Sequence, residues 1–227
     1  MDTMHLLDPV SAAIVVGGTL LATVLRCGLD DSRAAIFAIA GLWQRRFDSG
    51  KARAALAQQI REIQQDGLLR AEAHHSGDRE FDDATDALIG KRSIGALHAT
   101  HDGHRRRRIK RNQSAIQTLV QASDLAPVFG LAGTLVSLSQ LPSLDGTATQ
   151  FMGSISMAVL TTLYGLLLGN LFFAPLARIV ERAARAEERE RQLLVDWLED
   201  QVAPVIPGAR PMAPVFSEAR PMAVAAE

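Results

Sequence analysis

The stretch that decides the fold is LAPVFGLAGTLVSLSQL (Leu125–Leu141), followed after a short polar break by FMGSISMAVLTTLYGLLLGNLFFAPLA (Phe151–Ala177). Neither segment contains a charged residue. As a helix rising 1.5 Å per residue, the second reaches roughly 40 Å, more than the roughly 30 Å of a bilayer's hydrocarbon core. A buried helix of a water-soluble protein rarely needs that length. The pair reads as a membrane hairpin.

A third uncharged run, PVSAAIVVGGTLLATVL (Pro9–Leu25), lies near the start. It spans about 25 Å, and Leu6 and Leu7 lengthen its apolar contact. A secretory signal peptide carries a basic leader, but Met1–Asp8 hold no Lys or Arg and Arg26 comes after the apolar run. The run is therefore read as an uncleaved span. The formal net charge of −1 over 227 residues conceals the contrast between these spans and a strongly charged middle. The single cysteine, Cys27, excludes an internal disulfide and any cysteine-rich metal site.

Basic residues set the orientation. Arg26 and Arg33 follow span one, the run RRRRIKR (Arg105–Arg111) precedes span two, and Arg178, Arg182 and Arg185 follow span three. The opposite flanks, Met1–Asp8 and Pro142–Gln150, carry Asp2, Asp8 and Asp145 and no Lys or Arg. The positive-inside rule predicts an outer N-terminus, an inner middle region and an inner C-terminus. The fold class expected is all-α, an integral membrane bundle of three spans with a cytoplasmic helical region.

The organisation follows from these limits: a first span over 1–25, a cytoplasmic helical region over 26–124, the hairpin over 125–177, a charged helix over 178–203 and a tail over 204–227. Within the middle region, Ser32–Phe47 reads as an interfacial or packed helix and Lys51–Gln65 as a helix with Leu56, Ile60 and Ile63 on one face. Glu72–Asp83 reads as a polar loop, and Ala84–Leu97 as helix interrupted by Gly90 and Gly95. Ile109–Asp124 places Ile116, Leu119 and Val120 at helical spacing and leads directly into span two. The tail holds five prolines and the repeat ARPMA at Ala209–Ala213 and Ala219–Ala223, so it reads as disordered.

Uncharged polar atoms are dense inside the spans: Thr134, Ser137 and Ser139 in the second, and Ser154, Ser156, Thr161, Thr162, Tyr164 and Asn170 in the third. Each hydroxyl alone can be packing glue, bonded to the preceding turn. Their density at Thr161 and Thr162 suits a helix that also lines a polar path. Gly130, Gly133, Gly165 and Gly169 permit close helix approach. Pro127 is placed in the first turn of span two, where no helical hydrogen bond is lost, and Pro175 either ends or kinks span three. None of the three uncharged runs contains Asp, Glu, His, Lys or Arg. An ion path normally needs an ionisable carrier, so if this chain serves ion flow a partner must bring the acid.

Other chemistry is excluded or weak. His98, His101 and His104 could share a helix face, but no zinc-type spacing accompanies them, and they are read as solvated loop or helix-face histidines rather than as metal ligands. Arg105–Arg111 is read as a topological signal first and as an anionic-lipid contact second, with no nucleic-acid partner. No P-loop, nucleophile elbow or paired catalytic acid appears, so no enzyme and no cofactor is expected.

LDPVSAAIVVGGT (Leu7–Thr19), DLAPVFGLAGTLVSL (Asp124–Leu138) and MAVLTTLYGLLLGNLFFAPLA (Met157–Ala177) resemble the second, third and fourth spans of flagellar stator A-subunits. That is the MotA/PomA family within the MotA/TolQ/ExbB proton-channel superfamily. The resemblance implies a homo-oligomeric ring of five A-subunits in the bacterial inner membrane, around single-span B-subunits whose membrane Asp carries the ion. Passage of H⁺ or Na⁺ would then turn the flagellar rotor. It implies that Thr134 and Thr162 line the ion route, with Thr161 and Tyr164 beside it, and that Pro127 and Pro175 mark the pore's inner end. Rotor contact in this family pairs a basic and an acidic residue; Glu72 falls at the acidic position, and Arg61 lies one turn before the basic one. Stator A-subunits have four spans, so the resemblance implies a further span upstream or a three-span form. Three spans with an outer N-terminus is also the topology of TolQ and ExbB, which leaves a proton-driven envelope energy transducer as the alternative.

Overall fold

The computed structural model describes residues 9–43, 47–66, 77–140 and 148–205. Among them the elements are helical and no strand occurs. The chain runs α1 (Pro9–Cys27), α2 (Leu29–Trp43), α3 (Ser49–Asp66), α4 (Arg79–Lys91), α5 (Ile94–Ser139), α6 (Ala148–Leu167), a π-helical segment (Leu168–Phe173), α7 (Ala174–Val202) and a short 3₁₀ turn. Among the described residues three helical stretches are long and apolar enough to cross a membrane: Pro9–Cys27, Ile94–Ser139 and Phe151–Val202. Glu72, the tail from residue 206 onward and the connection at 141–147 lie outside the described residues.

Two compact units divide the chain. The first takes residues 1–51 and 102–193, the second 52–101 and 194–227. In the first unit α1 packs along α6 and against α2. The buried face of α1 is Ser11, Val15, Thr19 and Thr23, and the two threonines donate to Val15 O (2.6 Å) and Thr19 O (2.7 Å) in their own helix. Gly28, at φ +88°, ends α1 with its N–H on Val24 O at 2.9 Å, a left-handed cap that favours glycine. The core of this unit joins Ala35 of α2 to Ala115, Leu119, Ala122 and Ala126 of α5 and to Phe173, Ala177 and Val180. Alanine dominates because the backbones lie close.

The second unit buries Ala52, Leu56 and Ile60 of α3, Phe81, Ala84 and Leu88 of α4, Leu97 of α5, and Val195, Leu198 and Val202 of α7. Arg53 stacks its guanidinium 4.7 Å over the Trp197 ring. The side chain of Ile63 lies outside the described residues.

Four expectations are corrected here. The polar segment read as loop is already helical from Arg79, because Asp78 caps α4 by accepting the Glu80 N–H at 3.0 Å. Gly90 and Gly95 lie within helices; the break falls between them, at Arg92, which adopts φ +50°. His98, His101 and His104 lie on α5, as helix-face residues and not in a loop, but they are not all solvated: His98 Nε2, part-exposed, lies 2.9 Å from Glu199 Oε2, and the buried His101 ring faces Phe81 at 6.3 Å. Finally, α5 is one helix from Ile94 to Ser139, which puts Pro127 deep in its interior rather than in a first turn.

Candidate ion-pathway site

The seam between α5 and α6 is built on glycine. A Cβ added at Gly130 would sit 3.0 Å from Thr161 O, at Gly133 2.7 Å from the Thr161 Cβ, at Gly165 2.7 Å from Ala126 O, and at Gly169 2.7 Å from Ser123 O. All four positions therefore hold backbone against backbone or against Thr161, at distances that side chains cannot share. The matching faces of α5 (Ala115, Leu119, Ala122, Ala126, Gly130, Gly133, Ser137) step by three and four, the ordinary helical repeat.

Beside this seam the two helices leave an open groove of about 450 Å³, lined by Thr134, Leu138, Ile155, Ala158, Val159, Thr162, Leu163 and Leu166. Among the described residues its only hydroxyls are those of Thr134 and Thr162. Thr134 Oγ1 donates to Leu131 O at 2.6 Å, and Thr162 Oγ1 donates to Ala158 O at 3.2 Å. With each hydroxyl proton committed to its own helix, what remains on these oxygens is acceptor capacity. Such oxygens suit a cation or a protonated acid.

The sequence-predicted residues separate at this point. Thr134 and Thr162 come together in the groove. Thr161 is fully buried in the seam against Gly133, with its hydroxyl on Ala158 O at 2.9 Å. Tyr164 is half-buried and lies about 200° around the helix from Thr162, on another face. Arg61 is exposed on α3, its Nε on Ala57 O at 3.3 Å.

The prolines sit at unusual turns. Pro127 has no N–H to give to Ser123 O, the acceptor one turn back. The helix continues through Pro175, and directly before it the backbone widens into the π segment, with the Ala174 N–H on Gly169 O. Neither the π turn nor Ser123 was legible as a site residue. One signal for the π turn does exist: Thr161, Gly165, Gly169, Phe173 and Ala177 are all buried at strict intervals of four. Four such steps overrun a 3.6-residue turn by about 160°, and one extra residue in a π turn restores about 100° of that.

Three long apolar helices and a charge-free groove with two hydroxyls define a multi-pass α-helical membrane protein. The chain belongs to the MotA/TolQ/ExbB proton channel family, whose model matches residues 57–193. It is similar to "Motility protein A" of Cereibacter sphaeroides, 24% identical over 164 residues that cover 67% of this chain and 60% of that protein. "Motility protein A" of Aquifex aeolicus is 25% identical over 195 residues, covering 83% of this chain and 76% of its own length. The chain thus spans about three-fifths of the first relative and three-quarters of the second. Its fold matches a chain of the flagellar MotAB stator complex from Bacillus subtilis at TM-score 0.75 and 19% identity, over 87% of this chain and 79% of that one.

Proposed function

We propose that this chain is an ion-conducting A-subunit of a flagellar stator, passing H⁺ or Na⁺ through a complex with a B-subunit and converting that flow to rotation. The observation that carries the reading is the pairing of Thr134 and Thr162 in one groove otherwise lined by apolar side chains. The groove holds acceptors and no acid, so a single-span partner supplies the membrane aspartate that binds the ion. Fractions of 22–28% buried along the three spans leave most of their apolar surface for lipid and for further copies of the chain. A ring of five in the bacterial inner membrane is the arrangement that the family resemblance implies, and the outer N-terminus rests on the distribution of basic residues around the spans. Glu72 and Arg61 are the proposed rotor contacts, and Pro127 and Pro175 the proposed inner end of the pore.

The test is Thr162→Val, and in parallel Thr134→Val, in the assembled complex. Each removes one oxygen that meets the ion and keeps the shape of the groove, so rotation should slow roughly tenfold at unchanged membrane abundance. Unaltered torque in both variants would assign the hydroxyls to helix packing. Deletion of the chain should abolish swimming while flagella still assemble; normal swimming would reject the stator role.

A further inference from the structure

The two irregular turns of the bundle meet at one atom. Ser123 Oγ donates to Gly169 O at 3.0 Å, and the same carbonyl accepts the Ala174 N–H across the π turn. In an α-helix that carbonyl would serve Phe173 instead, one residue earlier. A transverse bond draws a carbonyl off the helix axis, which lengthens the axial bond and favours the wider ring. Pro175 adds to this, because it has no N–H to hold Leu171 O in a regular turn. On the α5 side, the Ser123 carbonyl has no Pro127 N–H to receive, and Gly169 approaches so closely that a Cβ there would lie 2.7 Å from it and 3.1 Å from Pro127 Cδ.

We infer that Ser123 is a positioning residue: its hydroxyl holds the π turn at Leu168–Phe173 and so fixes the rotational phase of Ala174–Leu193 against the groove-lining part of the same helix. The phase matters because it seats Phe173, Ala177 and Val180 in the core while Thr162 keeps its place in the groove. Without the extra residue of the π turn, the segment below would turn by about 100°. Ile179, half exposed at 50%, would move inward, and Val180, 3% exposed, would move out. For ion-driven work this couples groove geometry to the helix that leaves the membrane, and that functional part rests on the stator reading above.

The experiment uses the full chain with its B-subunit in cells, in a Cys27→Ser background. A water-soluble maleimide reads Val180→Cys and Ile179→Cys separately after permeabilisation, and tethered-cell rotation is read alongside. With Ser123→Ala, the ratio of Val180→Cys to Ile179→Cys labelling should rise about fivefold, the population shift that one net hydrogen bond sustains, and rotation should slow. Ser123→Thr keeps the hydroxyl and should restore both. An unchanged labelling ratio in Ser123→Ala overturns the inference whatever happens to rotation. A raised ratio with normal rotation leaves the hydroxyl as the holder of the turn and overturns its role in function. Absence of rotation in the parent chain would count against the stator reading alone, and the labelling ratio would still decide on Ser123.

Discussion

Glu188 sits where two guanidiniums converge. Arg108, its side chain 7% exposed, donates from Nε at 3.2 Å and from Nη2 at 3.1 Å to the two carboxylate oxygens, and Arg105 Nε lies 3.2 Å from the same group. Burial lowers the Arg108 pKa, Glu188 opposes that, and the nearby Arg191 adds to the lowering. The carboxylate therefore compensates a charge that is poorly solvated. Glu188→Gln leaves Arg108 buried against a neutral amide, which should cost about 3 kcal/mol. The exposed Glu190→Gln should stay within about 0.5 kcal/mol of the parent. Thermal unfolding of the detergent-solubilised protein compares the two; equal midpoints would show that Arg108 finds another partner.

At the scale of the element, the α5–α6 seam is set by backbone contact and not by side-chain interlock. Gly165→Val would drive a branched side chain into Ala126 O and Gly130 Cα, 2.7 and 2.8 Å from the added Cβ, with backbone on both sides and nothing flexible to yield. Overpacking of this kind costs about 1–3 kcal/mol or more. Gly17→Ala meets nothing within 4 Å and should be neutral or slightly stabilising, since alanine is the better helix former. Yield and thermal midpoint of the purified protein separate the pair, and equal losses would mean that glycine at 165 serves flexibility instead. The same seam explains what the sequence did and did not disclose. Three spans and the helical class were legible, because uncharged length is a property of residues; the density of hydroxyls pointed to Thr161 and Thr162 alike, and only the family resemblance set Thr134 beside Thr162. The helical approach to span two was legible in Ile116, Leu119 and Val120, but the start of α5 at Ile94 was not, because hydropathy marks the bilayer and not the helix, so Pro127 lies in an interior. The break at Arg92 was missed for the opposite reason. Glycine at 90 and 95 is only a weak helix breaker, and nothing in an arginine announces a left-handed backbone.

For the whole molecule, continuity of α5 changes which charges can set its orientation. Arg111 stands 14 residues before Leu125, about 21 Å along the axis, and Arg105 about 30 Å. Headgroups extend only about 5–8 Å beyond the hydrocarbon on each side, so with the hydrocarbon edge at Leu125 this run lies beyond the headgroup layer. Direct headgroup contact therefore falls to Arg26 at the end of α1 and to Arg178 at the end of span three, each adjoining an uncharged run. Both argue for the same inner side, and the connection between the last two spans, with Asp145 and no cation, argues for the outer one. In a Cys27→Ser background, Asp145→Cys should react with an impermeant maleimide on intact spheroplasts, whereas Lys110→Cys, exposed on α5, should react only after permeabilisation. The reverse pattern would invert the protein. It would also place the Pro127 and π-turn end of the bundle on the outer face, which would count against the stator reading proposed above.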